Sequence, residues 1–495
     1  MSEQPNLKTG VSGMLWMSAS SASTTVINLL LTMVLARLLS AEDYGVYQAI
    51  AVLVGFADML WQLGIGPALV RKKNLTKDDI ATGHTINILM GVAIVVIINL
   101  FTGFWCDVFA IKSGMMLRAY SLVFIANTLM AVPKAMMQRK CRFKVIAICN
   151  VGGLIVHAVV AIVLAIFGWG AWALVISILA QYAFQTIFVL CKERTGAGFR
   201  IVKGSVKELM VFGGGFTLAR IFNYIALQGD NYVVNKTMGS QYLGFYGKAY
   251  NLLNYPANLV GQTIDQVLYP LMSKEQDNLP KMRRLYCAGT GLIGLVVAPI
   301  MAVAVTCRNE LVLFVLGKQW IAVSGPMTVM VCGLFFRTAY KLGNSLIRSL
   351  GKVYQSAAIQ FTYAVCVVVG AYIGHFYGLT AVAFGVTVAF SIVYFLTTAV
   401  SAYFIKIDII DILKPLGTIL IYSLLAVGIG LASYALIVKK IGVSNCFLIL
   451  IICTILDFVG YALLYFMTHK FFATKEMHSL LVKIIGVMKQ KFLKK

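Results

Sequence analysis

Charge is scarce in this chain. Of its 495 residues only 12% are Asp, Glu, Lys or Arg, and 60% are hydrophobic. Soluble domains carry about 25% charged residues, so a soluble fold of this length would leave apolar surface uncovered. Acid is scarcer still, with 18 Asp and Glu against 42 Lys and Arg, and there are only five histidines. No Asp, Glu and His side chains cluster in the sequence. That excludes a metal site, and neither a metal nor a cofactor is expected. It also speaks against a membrane glycosyltransferase, polymerase or ligase, which needs metal- or sugar-handling loops. The ten cysteines are scattered, no CxxC occurs, and most lie in apolar runs, among them Cys149, Cys332, Cys366 and Cys453. A disulfide framework and a redox motif are both excluded, and the thiols read as small packing residues. The net charge of +24 is not gathered on one basic face with interleaved aromatics, so no nucleic-acid partner is expected.

What the chain does have is long apolar runs. A helical span needs about 20 mostly apolar residues, and fourteen candidates occur, the first near 13–36 and the last near 445–468. The fold class is therefore all-α integral membrane protein with about 14 transmembrane helices. The first 14 residues are polar and the apolar stretch after them is too long for an h-region, so no cleavable signal peptide is expected. An even number of spans puts both termini on one side. With that side inside, 31 of the 42 Lys and Arg fall on cytoplasmic segments and nine on the outer gaps, while Arg220 and Arg337 lie within spans. The positive-inside rule then places both ends in the cytoplasm. No outer gap is long enough for a catalytic domain, so the chain is not read as an enzyme. From about residue 474, Met477, Leu480, Leu481, Ile484, Ile485, Met488 and Phe492 share one helical face and lysines fill the other. That pattern suits a helix lying on anionic membrane lipids.

The chain repeats itself. "DYGVYQAIA" near residue 44 and "LGFYGKAYN" from Leu243 share a glycine, one residue and a tyrosine, and Gly45 and Gly244 are 199 residues apart. Each copy opens a span that ends in a proline and a charged gap, and Pro67 and Pro270 are 203 residues apart. Spans 1–6 and 7–12 read as two parallel copies of one six-helix lobe, an arrangement common among transporters. The expected organisation is residues 1–200 for the first lobe, 201–408 for the second, 409–469 for two further helices and 470–495 for the basic tail.

Polar residues form stripes inside these spans. Ser18, Ser21, Thr25, Asn28 and Thr32 share a face of span 1, and Gln48, Gly55, Asp58 and Gln62 a face of span 2. Their counterparts are Thr217, Arg220, Tyr224 and Gln228 in span 7, and Lys248, Asn251, Asn254, Asn258, Gln262, Asp265 and Tyr269 in span 8. Ser and Thr in a membrane helix often bond their own backbone. The span 8 stripe cannot face lipid, since each ionised centre there costs about 2.5–3.5 kcal/mol. The four stripes are expected to meet around a shared polar cavity between the lobes. His157 reads as a core histidine, Asp457 as structural, and Arg118 and Arg337, near span ends, as snorkelling side chains. Tyr242, Tyr246, Tyr250 and Tyr255 read mainly as an interfacial belt.

With these stretches in view the sequence resembles a known family. "LARLLSAEDYGVYQAI", "LGIGPALVRKK", "GFYGKAYNLLNYPANLVGQTIDQVLYPLMSK", "VLGKQWIAVSGPM" and "SLIRSLGKVY" together resemble the Wzx-type bacterial polysaccharide flippases, closest to the branch that holds the colanic acid exporter. The resemblance implies two six-helix lobes in a V around a central cavity, with two additional helices. It implies alternating access, in which a lipid-linked oligosaccharide on undecaprenyl pyrophosphate passes from the inner to the outer leaflet for cell-surface polysaccharide synthesis. Polysaccharide polymerase machinery is then a further partner. On that reading Arg220 is the first candidate for the pyrophosphate and Lys248 the second. Asn28, Thr25, Asn251, Asn254, Asn258 and Gln262 would solvate sugar hydroxyls. Asp58 and Asp265 are candidates for coupling H⁺ or Na⁺. The nearest alternative is a cation-coupled multidrug antiporter on the same fold.

Overall fold

A peptide group in hydrocarbon has no water to bond, so a spanning segment must satisfy its own N–H and C=O groups, as a helix does. The computed structural model describes residues 7–62, 65–72, 75–193, 199–263, 268, 272, 275–276, 278–440 and 445–472. Every regular element among them is helical. The tail helix expected beyond 474 lies outside the described residues.

Among the described residues, ten helices are long and apolar enough to cross a membrane. They become eleven if the bent pair Lys318–Cys332 and Leu334–Ser349, 43° apart, is one span. Further helices among the fourteen expected spans are only partly described. Helices Ala41–Gln62, Lys203–Met238 and Ser240–Thr263 have the length, at 22, 36 and 24 residues. They are the helices that carry the stripes of spans 2, 7 and 8. The apolar helices turn large side chains outward. Ile455, Phe458, Val459, Leu463, Phe466 and Met467 of the last helix are all exposed, a patch that suits acyl chains and not water.

The helices group into two compact units, Met1–Gly244 and Phe245–Lys495. Unit 1 holds α1 (Leu7–Leu38), α2 (Ala41–Gln62), α3 (Ile65–Arg71), α4 (Lys77–Leu100), α5 (Thr102–Phe109) and α6 (Gly114–Ser121). It continues with α7 (Val123–Arg139), α8 (Phe143–Ile166), α9 (Ala171–Lys192), α10 (Lys203–Met238) and the first turn of α11 (Ser240–Thr263). Its helices pack as α8 on α1 and α9, α7 on α4 and α9, and α10 on α2. Leu31, Leu35 and Leu39 meet Ala161, Ala165, Ala173 and Leu174 in one buried cluster, where the alanines let the helix axes approach.

The two echoed glycines meet at one crossing. A Cβ on Gly45 would lie 1.6 Å from the carbonyl oxygen of Ser240, and one on Gly244 would lie 1.8 Å from that of Ala41. Each glycine therefore touches the backbone four residues ahead of the other glycine. The contact is reciprocal, and only hydrogen fits in the gap.

A second local device closes the far end of the α2–α4 region. Thr76 and Asp79 form a capping box at the start of α4, and Lys72 pairs with Asp79 at 3.0 Å. Arg139, the last residue of α7, donates to the carbonyls of Leu69, Val70 and Lys72 at 3.1, 3.0 and 2.5 Å. These are carbonyls that the end of a helix leaves without an internal partner. Arg139→Met should lower stability by about 1.5–3 kcal/mol, the worth of hydrogen bonds to a charged group. Thermal unfolding in detergent micelles measures it, and an unchanged midpoint would mean that α3 does not depend on this cap.

Unit 2 continues α11 and adds α12 (Leu279–Thr306), α13 (Arg308–Val315), a 3-10 turn (Lys318–Val323), α14 (Ser324–Cys332) and α15 (Leu334–Ser349). The hairpin of α16 (Val353–Gly374) and α17 (Leu379–Ile405) follows, then α18 (Ile409–Ala435) and α19 (Cys446–Phe472). The hairpin crosses at another reciprocal glycine pair, where a Cβ on Gly385 would stand 2.2 Å from the carbonyl oxygen of Gly370. Helices α18 and α19 pack on α12 through Ala298, Ala302, Tyr422, Ala426, Tyr461 and Tyr465.

Candidate functional site

Unit 1 holds a partly open cavity of about 640 Å³, within the range of about 300–1,000 Å³ typical of small-molecule sites. Six helices and α3 supply its wall. Asn28 and Thr24 come from α1, Asp58 from α2, Gly66 from α3 and Asn87 from α4. Helix α7 supplies Asn127, Lys134 and Gln138, α8 supplies Asn150, and α9 supplies Gln181, Tyr182 and Gln185. Seven of these side chains are primary amides. Each amide both donates and accepts, so the wall can replace water around hydroxyl groups.

Backbone and packing details fix several of these groups. Gly153 of α8 leaves the room that Gln185 occupies, since a Cβ there would lie 2.6 Å from the Gln185 amide nitrogen. Asn87 is 1% exposed and its Oδ1 has no hydrogen-bond partner. The hydroxyl of Tyr224, from α10, donates to the Val52 carbonyl at 2.8 Å. The same hydroxyl would lie 2.3 Å from a Cβ on Gly55. Here the polar faces of α2 and α10 meet, and Asp58 lies near enough to Tyr182 and Tyr224 for its charge to act on both. The ammonium of Lys134 donates to Asn150 Oδ1 at 3.4 Å, a long bond. Among the described residues no carboxylate lies within 4 Å of it.

The expected site residues are distributed as follows. Asn28 and Asp58 share this cavity. Thr25 turns its hydroxyl to the Ser21 carbonyl at 2.9 Å, the backbone bond that Ser and Thr often make in membrane helices. Lys248 is 5% exposed, with its ammonium 5.7 Å from the centre of the Trp320 ring. Asn251 and Asn258 are exposed on α11. Arg220 lies in α10 and Gln262 in α11, both with side chains outside the described residues, and Asp265 lies wholly outside them. His157 and Asp457 are both buried. Arg118 is exposed and its Nε donates to Thr102 at 3.1 Å.

Arg337 corrects an expectation. It does not snorkel: it is 5% exposed. Its guanidinium lies between two rings, with Cζ 4.4 Å from the centre of Tyr250 and 4.9 Å from that of Phe390. Nη2 donates to Asn254 Oδ1 at 2.5 Å, while Nη1 is buried with no hydrogen-bond partner. Among the described residues no carboxylate pairs with it. A buried cation without a counter-ion costs several kcal/mol, which the two ring faces offset in part. The candidate Asn254 thus serves this arginine, within unit 2.

Among the described residues, no group of three His, Cys, Asp or Glu side chains is placed to hold a metal ion.

Residues 34–325 match the family described as polysaccharide biosynthesis protein. The lipopolysaccharide biosynthesis protein WzxC of Escherichia coli (strain K12) is 24% identical over 406 residues, 80% of each chain. The teichuronic acid biosynthesis protein TuaB of Bacillus subtilis (strain 168) is 20% identical over 436 residues, 86% of this chain and 89% of that one. Among solved structures, the lipid II flippase MurJ in an inward closed conformation superposes with a TM-score of 0.73 at 14% identity, covering 91% of this chain and 99% of that chain. A multidrug resistance MATE family transporter in its inward-facing conformation superposes at 0.63 and 14% identity, covering 77% and 94%. The two structural likenesses show the fold alone, an all-helical architecture shared with those proteins.

Proposed function

From the premise that the chain belongs to the polysaccharide biosynthesis protein family, we propose that it moves a lipid-linked oligosaccharide from the inner to the outer leaflet of the bacterial cytoplasmic membrane. The carrier is a polyprenyl diphosphate such as undecaprenyl diphosphate. The protein works by alternating access, with both termini in the cytoplasm, and catalyses no covalent step. The observation that carries this reading is the amide-walled cavity of about 640 Å³ inside an apolar helical unit. A sugar leaving water loses a hydrogen bond at each hydroxyl, and an unreplaced one costs about 1–3 kcal/mol. Seven amides, Asp58 and Lys134 are positioned to replace them, while the polyprenyl tail stays in the bilayer. The excess of Lys and Arg on the inner segments supports the orientation. An inside-negative potential favours outward passage of an anion by about 2.3 kcal/mol per charge per 100 mV. The position of Asp58 on the cavity wall supports a role in H⁺ or Na⁺ coupling, and Asp265 is the second candidate for that role.

Asp58 also favours the second reading, a cation-coupled antiporter of small molecules on this fold. One experiment separates the two. The full-length protein is reconstituted in liposomes with a fluorescent polyprenyl-diphosphate oligosaccharide, and transfer between leaflets is read by an impermeant quencher. Transfer well above protein-free vesicles is expected. Transfer at the protein-free rate, with uptake of a lipophilic cation driven by a pH or Na⁺ gradient, would replace the flippase by the antiporter.

A further inference from the structure

Arg337 ends a row. At helical spacing, Lys341, Asn344 and Arg348 follow it on the same face of α15. Arg348, at the other end, is exposed, and one of its N–H groups donates to Ser345 Oγ at 3.1 Å. Lys341 lies between them, its ammonium 2.8 Å from where a side chain on Gly261 of α11 would begin. The row therefore runs from an exposed guanidinium to a buried one over about 16 Å at the helical rise.

The buried end holds a guanidinium with one amino group unused. Arg337 is held flat by Tyr250 and Phe390, and Asn254 takes one amino group. The other, Nη1, is buried and has no hydrogen-bond partner. A guanidinium keeps its charge at any accessible pH and presents a fork matched to phosphate. Resting on the flippase reading, we propose that Arg337, Lys341 and Arg348 form an anion row that takes the diphosphate of the carrier lipid, with Arg337 as its inner station. The lipid is handed along the row by its phosphate oxygens. Uronic acids and bulk phospholipids offer oxyanions too, and the test separates these sources. Without a ligand, Arg337 would only clamp α11 to α17.

The probes are a short-chain polyprenyl diphosphate, the matching neutral polyprenol, phosphatidylglycerol and glucuronic acid. Binding is measured on the purified full-length protein in detergent, for wild type, Arg337→Lys and the double variant Lys341→Gln/Arg348→Gln. The double variant leaves the aromatic clamp intact and so guards against misfolding. Wild type should prefer the diphosphate over the polyprenol and over the other two anions by at least tenfold. Both variants should lose most of that preference with polyprenol affinity unchanged. Equal affinity of wild type for diphosphate and polyprenol overturns the inference. So do a preference for glucuronic acid or phosphatidylglycerol, retained preference in both variants, and an equal loss of both ligands, which marks a clamp only. If wild type transfers lipid-linked oligosaccharide and the variants do so at the wild-type rate, the row is wrong and the flippase stands. If wild type transfers none, it is the flippase reading that fails.

Discussion

Gly45→Leu and Gly244→Leu should each remove most of the folded protein from the membrane. An added Cβ would sit 1.6 Å from the Ser240 carbonyl oxygen in the first case and 1.8 Å from the Ala41 carbonyl oxygen in the second. These neighbours are backbone, so no rotamer change relieves the clash and a helix must shift. Overpacking against side chains typically costs about 1–3 kcal/mol, and displacing backbone costs more. That approaches the whole stability of many proteins, about 5–15 kcal/mol. Gly103, with nothing within 4 Å of its Cβ position, is the control, and Gly103→Leu should be tolerated. Membrane-fraction immunoblots and detergent size-exclusion profiles measure the outcome. Normal levels of a monodisperse Gly45→Leu protein would show that the crossing is not as tight as the geometry makes it.

Lys134→Met should do the reverse, sparing the fold and removing the function. Most buried lysines that matter to stability pair with a carboxylate, and deleting them strands that carboxylate. Among the described residues, half-buried Lys134 has the long bond to Asn150 and no carboxylate within 4 Å, so its loss leaves no described anion unpaired, the situation that makes breaking a buried pair costly. The melting temperature should hold or rise. Transport should fall by roughly ten- to a hundredfold, the equivalent of about 1.5–3 kcal/mol for a lost hydrogen bond to a charged donor. Leaflet transfer in liposomes, beside a melting curve of the same preparation, reads both halves. Undiminished transfer would mean that Lys134 does not touch the cargo, and a collapsed melting temperature would make it a structural residue.

The sequence made some of this visible and hid the rest for identifiable reasons. Asn28 and Asp58 were legible because a polar residue recurring every third or fourth position in an apolar helix has only one direction to face. Asn127, Lys134 and Gln138 follow the same rule, at i, i+7 and i+11, and so do Gln181 and Gln185. Lys134, though, also fits a charge flanking a span, and a topology count absorbs it. Arg337 was hidden by a bend. Read as one span, it stands near an end where a side chain can reach the interface. The helix actually restarts at Leu334 and runs to Ser349, which puts Arg337 in a first turn packed among rings. The echoed glycines were legible as a repeat, but that they touch each other was not, because spacing along a chain carries no information about which copies meet.

The amide wall of the unit 1 cavity has a consequence for what it can tell apart. A half-turn of a terminal amide exchanges its carbonyl oxygen and its NH₂. Those of the seven that packing leaves free to turn can therefore rearrange to suit an axial hydroxyl as readily as an equatorial one. Such a chamber counts hydroxyls and leaves their stereochemistry unread, so epimers should pass alike, and fidelity to one glycan has to be imposed by the enzymes that assemble it.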